Sequence, residues 1–466
     1  MKKSWKAMIA AVLGLLFNVG CATYTKQSAD MMAKWEAGNA LGAAVEFGEK
    51  AVKSKDNKDS VIWNLEAGAA YRAAGEYETS NRFLDAAADR IDRHEEKANI
   101  EVGKEAGALM TNQQNLPYKG KSYDKIMLHT YKAMNYLAMG DIDRARPEII
   151  RAYQRQTDAV DDNKRRIEKA MEAEEESKEK EKIEKARQDA KFAESLDSVT
   201  SDLEGFKFYA DYVNPFTVYL DALFFLHAGG TGSDLERANK SFDRIVETAG
   251  DNRFIQEDLQ VIQAALQGAS PKPCTYVIFE TGRAASLDQI RIDIPIIIAK
   301  VSYVGAAFPK LKLHPNYTPV LMIRAGGVDY ETEIVASMDS MVALDFKNEF
   351  PVIVTKTLIS TVAKATAAYL VNDAAAQQDA LVGLFSKIAT AAAQAAVNIA
   401  DTRSWNTLPK EFQVARFETP EDRTVTIGVG SGGSVELQII DGGVNIVHVQ
   451  AVNATSPLIV NQYILK

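Results

Sequence analysis

The sequence predicts an α+β protein of several domains. An N-terminal α-solenoid of helical repeats is followed by a strand-rich, β-sandwich-like domain with an inserted apolar helical hairpin. Three observations support this prediction: small and aromatic residues recur through the first half, alternating branched residues begin near residue 270, and two Ala-rich apolar segments interrupt the second half. At 466 residues the chain is long enough for about two or three domains of ordinary size.

The first 20 residues form a predicted signal peptide. Lys2, Lys3 and Lys6 precede an apolar run of 11 residues from Ala7 to Phe17. A membrane-spanning helix needs roughly 20 apolar residues, so a cleaved export signal is favoured over a permanent span. Removal of residues 1–20 takes away these three lysines and no acidic residue, which changes the formal net charge from -9 to about -12.

Cys21 is the predicted lipidation site. It follows Val19 and Gly20 as in bacterial lipoproteins, in which the cysteine sulfur carries a diacylglyceryl group, although Asn18 stands where that pattern usually has Leu. Ordinary cleavage that leaves a free Cys21 thiol is the alternative. By resemblance to the bacterial sorting rule, Ala22 directs the protein to the outer membrane.

The helical repeats are predicted in residues 21–157 and 199–268. Small and aromatic residues are spaced by three or four positions, as in antiparallel helix pairs of tetratricopeptide type. The clearest copy has Gly68, Tyr71, Gly75, Tyr77, Ser80, Leu84 and Ala87, and later copies have Ala133, Tyr136, Gly140, Ala145, Ile149 and Ala152, then Ala222, Phe225, Ala238, Phe242 and Ile245. Stacked pairs of this kind form a concave binding surface. The alternative is a non-repeating helical bundle.

Residues 158–198 separate the two groups of repeats. The segment has almost no large apolar residues, and it places Glu and Lys four residues apart, as in Glu174 with Lys178 and Glu176 with Lys180. Such pairs stabilise an exposed helix, and the apolar seam of a coiled coil is missing. We predict a charged, solvated helix, with a partner-docking arm as the alternative.

The C-terminal domain is predicted to span residues 269–466. Partly alternating branched residues predict strands in CTYVIFETG, LDQIRIDIPIII, TPVLMIRAG, YETEIVASMDSMVAL, RTVTIGVG, SVELQII and GVNIVHVQAV. The helical hairpin covers about residues 350–400, with Pro351 at the start of its first apolar segment. Packing on the sheet is favoured for the hairpin, and a membrane-inserting or oligomerising pair is the alternative.

The sequence contains no recognisable catalytic, cofactor or metal site, and we predict a protein that is not an enzyme. The five histidines have no metal-ligand spacing. The segment GVGSGG, from Gly428 to Gly433, is followed by a strand pattern, which predicts a hairpin turn instead of a dinucleotide site. The acidic composition argues against nucleic acid as a partner. Cys274 is expected to be buried, and it has no disulfide partner if Cys21 is acylated.

One predicted helix carries a candidate partner-binding face. Arg144, Arg151 and Arg155 recur at helical spacing beside the packing residue Ala145. They are candidates for contact with a carboxylate-bearing partner. The alternative is that these surface arginines pair with neighbours such as Glu148.

Three stretches, PYKGKSYDKIMLHTYKAMNYLAMGDIDRAR, YVNPFTVYLDAL and ADTRSWNTLP, together resemble an uncharacterised bacterial family of tetratricopeptide-type outer-membrane lipoproteins. The resemblance covers most of the mature chain, and Asn18 and the charged insertion after residue 158 depart from it. The matching residues, for which a structural role is expected, are Tyr118, Gly120, Tyr123, Asn214, Pro215, Phe216, Asp401, Arg403 and Trp405.

The resemblance implies a lipid-anchored, periplasm-facing protein of the outer membrane, without an agreed activity. Relatives are often found beside lipoprotein activators of penicillin-binding proteins, which implies by association a role near peptidoglycan synthesis. We therefore expect a scaffold or adaptor that binds protein partners in the periplasm or outer membrane during cell-envelope assembly. The alternatives are a homo-oligomeric component of a secretion or export assembly, and a cell-wall hydrolase with an unrecognised site.

Overall fold

The computed structural model describes residues 23–100, 113–249, 252–298, 301–376, 399–430 and 433–466. From Tyr24 to Leu266 the described chain is helical apart from turns and loops, and strands and one long helix follow. The described part therefore confirms the predicted α+β class and the order of a helical region before the strands.

The helical region consists of consecutive α-helices joined by turns and loops. In chain order they are α1 (Tyr24–Glu36), α2 (Ala40–Lys53), α3 (Ser60–Ala73), α4 (Tyr77–Ile100), α5 (Ser122–Ala138), α6 (Ile142–Glu175), α7 (Lys180–Arg187), α8 (Ala190–Thr200), α9 (Pro215–His227), α10 (Gly232–Ala249) and α11 (Arg253–Leu266). The pairs α1 and α2, α3 and α4, α5 and α6, and α9 and α10 each pack side by side. Helix pairs therefore occur where the sequence pattern predicts them.

Glycine allows the turn and the close contact in the pair of α3 and α4. Gly75, between the two helices, has a φ of 79°, a conformation that other residues rarely adopt. Gly68 of α3 faces Leu84 of α4 so closely that an added Cβ would lie 2.5 Å from a Leu84 methyl carbon. The two helices therefore approach each other at the glycine that the repeat pattern singles out.

The described strands form three sheets. They are β1 (Cys274–Thr281), β2 (Ser286–Ile298), β3 (Val301–Lys312), β4 (Met322–Ala325), β5 (Val328–Glu331), β6 (Glu333–Ser337), β7 (Glu411–Glu418), β8 (Thr424–Gly428), β9 (Ser434–Gln438), β10 (Val444–Ala451) and β11 (Ile459–Ile464). One sheet has the order β11, β10, β1, β7, β6, with β1 and β10 parallel. The second has the order β5, β4, β8, β9, and β2 pairs with β3 in a long hairpin. Gly428 pairs with Ser434 across β8 and β9, so these strands form an antiparallel hairpin as the sequence predicts, and residues 431–432 of its connection lie outside the described residues.

The five-stranded sheet packs on one side of the helical region. Tyr131 of α5 donates a hydrogen bond to Glu280 of β1, and Phe216 of α9 stacks on Phe412 of β7 with the ring centroids 3.9 Å apart. Strands β1 and β10 are buried along their whole length. The sides of α5 and α9 that carry Tyr131 and Phe216 are thus covered by the chain's own sheet.

A buried ion pair joins the helical region to this sheet. Arg72 of α3 places a guanidinium nitrogen 2.8 Å from Glu280 Oε1, and the two side chains are 4% and 0% exposed. His448 of β10 contacts the same oxygen at 2.9 Å, while the Tyr131 hydroxyl donates to Oε2 at 3.1 Å. Burial alone would raise the pKa of Glu280, but Arg72 and His448 lower it to about 2. Glu280 is therefore ionised and fully partnered inside the protein.

A long helix, α12 (Met338–Ala376), covers the first half of the predicted apolar hairpin. The strand prediction for MDSMVAL is wrong, because β6 ends at Ser337 and these residues form the first turns of α12. Phe350 of α12 packs near Phe308 of β3, with the ring centroids 6.4 Å apart, so this part of the helix lies against the hairpin of β2 and β3. The second predicted helix falls largely on residues 377–398, which lie outside the described residues. Of the helices that the structure describes, none has the length and apolar character needed to cross a membrane.

The charged segment 158–198 differs from the single solvated helix that the sequence predicts. Helix α6 continues to Glu175, and α7 and α8 follow as separate helices. Ile183 and Phe192 are buried, and Phe192 packs near Phe308 of β3. These apolar side chains attach the segment to the hairpin of β2 and β3. Their neighbours in sequence are charged, which is why the sequence predicts a solvated helix, whereas their neighbours in space are apolar.

We expect Glu280→Gln to lower the free energy of unfolding by about 3 to 5 kcal/mol, because the change leaves the buried Arg72 without its counter-charge. Urea unfolding measures this difference. Glu418→Gln is the matched control, since Glu418 of β7 pairs with Lys272 at an exposed site, and it should leave the stability unchanged. Equal effects of the two changes would contradict the role of the buried pair.

Candidate partner-binding site

The loop of residues 401–408, here called the clamp loop, carries the Asp-x-Arg-x-Trp motif and binds to the start of α3. Arg403 is buried, with Nη1 2.8 Å from Asp59 Oδ1 and Nε 2.8 Å from Asp401 Oδ1. Its guanidinium also lies 5.3 Å from the centre of the Tyr118 ring. The structure therefore brings together three of the family-motif residues, and their contacts attach the clamp loop to the helices.

Glu66 of α3 holds the other part of the clamp loop. Its carboxylate accepts hydrogen bonds from the backbone N–H groups of Asn406 at 2.7 Å and Thr407 at 3.0 Å, and from the Tyr24 hydroxyl. The Trp405 side chain is buried, and its indole N–H donates to the Thr407 hydroxyl at 2.9 Å. Burial raises the pKa of Glu66, and its hydrogen-bond donors offset part of that rise. Trp405 is thus a packing residue of the clamp loop.

The remaining motif residues also have structural contacts. Tyr118 and Gly120 lie in the segment that leads into α5, and the Tyr118 side chain is buried. Asn214 caps α9 by accepting from the N–H of Phe216 at 3.0 Å, and Pro215 is the first residue of that helix. Proline suits this position because its missing N–H would have no partner in the helix.

A cluster of charged groups joins α5, α6 and α12. Lys121 pairs with Glu349, and Arg166 Nη1 lies 3.7 Å from the other Glu349 oxygen. Burial alone would raise the pKa of Glu349, but the two cations lower it to about 2. Asp124 accepts from the Tyr118 hydroxyl at 2.5 Å and from the Lys121 N–H at 2.8 Å, yet burial raises its pKa to about 7. Carboxyl groups with such different pKa values suit acid–base chemistry, but Asp124 is fully buried and has no access to a substrate.

Cys274, His227 and Asp258 gather in a second buried cluster between α9, α11 and β1. The Tyr276 hydroxyl donates to Asp258 Oδ1 at 2.7 Å and lies 3.0 Å from His227 Nε2. Burial raises the pKa of Cys274 and lowers that of His227 to about 3. The buried thiol keeps its proton and is a poor nucleophile. Within the described residues, no group of His, Cys, Asp and Glu side chains is arranged to hold a metal ion.

The three arginines that the sequence assigns to a partner are engaged within the chain. Arg144 pairs with Asp141, Arg151 with Glu148, and Arg155 with Asp92 and Glu95. Arg144 and Arg151 are exposed, whereas Arg155 is partly buried. The pairing with Glu148 is the alternative that the sequence offers, and the three guanidiniums do not form one open face.

An open groove lies on a neighbouring face of α6. It has a volume of about 380 Å³ and is formed by α6 and α10, with α9 below them. Its lining residues are Arg146, Ile150, Phe225, Ser233, Asp234, Glu236, Arg237 and Lys240. Ile150 is exposed at the surface of the groove although its side chain is aliphatic. Three of the eight lining side chains, Arg146, Phe225 and Arg237, are of types that are enriched in protein interfaces.

Arginine and aromatic side chains alternate in a row that begins in this groove, which Arg146, Phe225 and Arg237 line, and continues beside it. The guanidinium carbons of Arg146 and Arg237 lie 4.9 and 4.5 Å from the centre of the Phe225 ring. Those of Arg237 and Arg244 lie 5.5 and 5.2 Å from the centre of the Tyr153 ring. These five residues are here called the arginine ladder. Cation–π contacts with the two rings hold three positive charges close together.

Some positively charged side chains in the groove and beside it have no carboxylate partner among the described residues. Arg237 is held by the buried Asp221 at 2.6 Å, and Arg146 pairs with Asp234 at the edge of the groove. Within the part of the chain that the structure describes, Arg244 has ring contacts but no carboxylate partner, and the exposed Lys240 has none either. The arrangement can therefore bind carboxylates of another molecule next to an apolar surface.

Sequence reasoning missed this site, although each of its two helices carries a signal. Helix α6 has a basic, an aliphatic and an aromatic residue at helical spacing, Arg146, Ile150 and Tyr153, and α10 has three basic residues at such spacing, Arg237, Lys240 and Arg244. The sequence contains no sign that the two rows face each other. That relation depends on how α6 and α10 both pack on α9.

Comparisons with protein-family models, with curated proteins and with solved structures give no match. The predicted lipidation site Cys21 and the signal peptide of residues 1–20 lie outside the described residues. The family resemblance and the lipid anchor therefore stay predictions, and the candidate site is assigned from its geometry.

We expect Asp124→Asn to remove part of the pH dependence of stability. The folded-state pKa of about 7 lies above the ordinary value, so the folded protein holds a proton that the unfolded chain has released between about pH 4 and 7. Stability therefore falls as pH rises through that window, by up to about 1.4 kcal/mol per pH unit.

Urea unfolding at several pH values from 5 to 8 tests this expectation. The free energy of unfolding of Asp124→Asn should rise relative to the unmodified protein as pH increases. Asp56→Asn, at an exposed carboxyl group, is the control and should leave the pH profile unchanged. Parallel profiles for all three proteins would show that Asp124 does not take up the proton.

Proposed function

We propose that this protein is a non-enzymatic adaptor that binds a carboxylate-bearing segment of a protein partner in the groove of the arginine ladder. The observation that carries the proposal is the row of three guanidiniums and two aromatic rings, of which Arg146, Phe225 and Arg237 line the open groove. Arginine and aromatic side chains contribute most of the affinity in many protein interfaces. Lys240 and Arg244, which have no carboxylate partner among the described residues, also favour an acidic partner through charge complementarity.

The helix pairs are proposed to be tetratricopeptide-type repeats whose inner surface recognises the chain's own sheet. The glycine contact between Gly68 and Leu84 and the turn at Gly75 support this assignment. Because the sheet covers the inner helices, an external partner has to use an outer surface. The groove lies there, between the second helices of two pairs, α6 and α10.

We further propose that Cys21 is acylated and that the protein faces the periplasm from the outer membrane. The signal-peptide pattern and the small residues before Cys21 support this placement. A lipid-anchored adaptor with a basic groove would bring an acidic partner to the membrane surface. Cell-envelope assembly near peptidoglycan synthesis is the process that the family resemblance implies.

Photo-crosslinking in intact cells tests the groove. A photoreactive residue at position 150 should form a cross-link to a specific partner. We expect the yield to fall about tenfold or more in the double variant Lys240→Ala/Arg244→Ala, because tenfold corresponds to about 1.4 kcal/mol, the scale of a lost hydrogen bond to a charged group.

The double variant Arg144→Ala/Arg151→Ala is the matched control. It removes the same net charge from exposed positions of α6 outside the groove, and it should leave the cross-link unchanged. Equal losses in both double variants would contradict a specific groove. A cross-link only to a second copy of this chain would favour the oligomeric export component instead.

A further inference from the structure

Helix α2 carries an exposed aliphatic stripe that the proposed groove does not use. Leu41, Val45 and Val52 are 53%, 45% and 69% exposed. At 3.6 residues per turn, these three side chains project within about 40° of one another. Single exposed aliphatic residues are common, but a row of them along one face indicates a surface that another molecule covers.

The Val52 end of the stripe lies close to the start of α1, near Thr23. Thr23 caps α1, its hydroxyl accepting a hydrogen bond from the Lys26 N–H. Lys50 near the end of α2 donates to Gln27 in the first turn of α1 at 2.8 Å. The last turn of α2, with the highly exposed Val52, therefore lies beside the first turn of α1.

This position leaves almost no linker between the proposed lipid anchor and the folded protein. Only Ala22 separates Cys21 from Thr23 in the sequence. The two steps from Cys21 to Thr23 span at most about 7 Å, since an extended chain advances roughly 3.5 Å per residue. An acyl group on Cys21 would therefore hold the start of α1, and with it the end of α2, at the membrane surface.

We propose that the aliphatic stripe of α2 lies in the headgroup layer of the membrane that holds the anchor. The proposal rests on the proposed acylation of Cys21. Leu41, Val45 and Val52 would enter the boundary between headgroups and acyl chains, as the apolar face of an interfacial helix does. The exposed Lys55 at the same end would extend toward lipid phosphates, whereas Lys53 pairs with the exposed Glu49 of α2 at 3.2 Å.

This contact gives the adaptor a defined orientation. Helix α2 is about 21 Å long at 1.5 Å per residue, and its stripe covers most of that length. An acyl chain alone permits rotation about one point, whereas a helix lying along the membrane removes much of that freedom. The groove of the arginine ladder is then presented to the periplasm at one angle.

Nitroxide spin labels on the full-length lipoprotein test the proposal. The acylated protein is reconstituted in vesicles of phosphatidylethanolamine and phosphatidylglycerol, and a label is attached at Val52→Cys. Cys274 is buried and does not compete for the label. When the protein binds the vesicles, we expect the rate of collisions between the label at position 52 and oxygen to rise severalfold. The rate of its collisions with a water-soluble nickel chelate should fall severalfold. Met171→Cys, an exposed aliphatic position on α6, is the matched control and should remain accessible to the nickel chelate.

A label at Lys55→Cys then tests the stripe itself. Replacing Leu41, Val45 and Val52 by Ser should return this label to the aqueous phase, whereas replacing Val160 and Met171 of α6 by Ser should not.

A water-exposed label at position 52 on protein whose acyl mass is verified would overturn the membrane contact and leave the anchor intact. Spin–spin broadening at position 52 would show that a second copy covers the stripe. Absence of the acyl mass would refute the anchor and the membrane contact together.

Discussion

A guanidinium that is removed from water needs a carboxylate, and Arg72 of the helical region has its carboxylate on Glu280 of the sheet. Neither side chain has access to solvent, so neither region can expose its half of the pair without the cost of an uncompensated buried charge. His448 and Tyr131 complete the remaining contacts of Glu280. This constraint makes the helical region and the five-stranded sheet parts of one structure. The clamp loop is attached in a similar way, because the buried Arg403 has its carboxylate partner at Asp59 and the buried Glu66 accepts hydrogen bonds from the loop backbone.

The covered inner surface determines where a partner has room to bind. A stack of helix pairs usually offers its inner helices, but here α3, α5 and α9 contact the sheet or the clamp loop. The outer helices are left, and α6 and α10 form the groove of the arginine ladder there. Its Arg237 is anchored by a buried aspartate, as Arg72 is by Glu280, but Lys240 at its opening is exposed to solvent. The same charge chemistry therefore serves cohesion inside the protein and, in the function that we propose, recognition outside it.

Local sequence patterns predicted the fold better than the site. The helix pairs, the strand that begins at Cys274 and the turn after Gly428 follow from periodicity within a few residues. Strand β7 escaped prediction because buried polar residues such as Glu411 and Gln413 alternate through it. Gln413 has its partners at Thr332 and the Pro319 carbonyl, far away in the chain. The segment 158–198 looked solvated because Ile183 and Phe192 are isolated in sequence, and only the hairpin of β2 and β3 gives them an apolar surface.

The sequence by itself determined the fold class, the order of helical and strand-rich regions, and the glycines that permit the helix pairs to approach and turn. Tertiary structure alone decided which surfaces remain open. It paired Arg151 with Glu148, filled the inner face of the helices with the sheet, and placed the row of Arg146 opposite the row of Arg237. The physical reason is that backbone preference depends on neighbours in the chain, whereas burial and charge compensation depend on groups that meet only after folding.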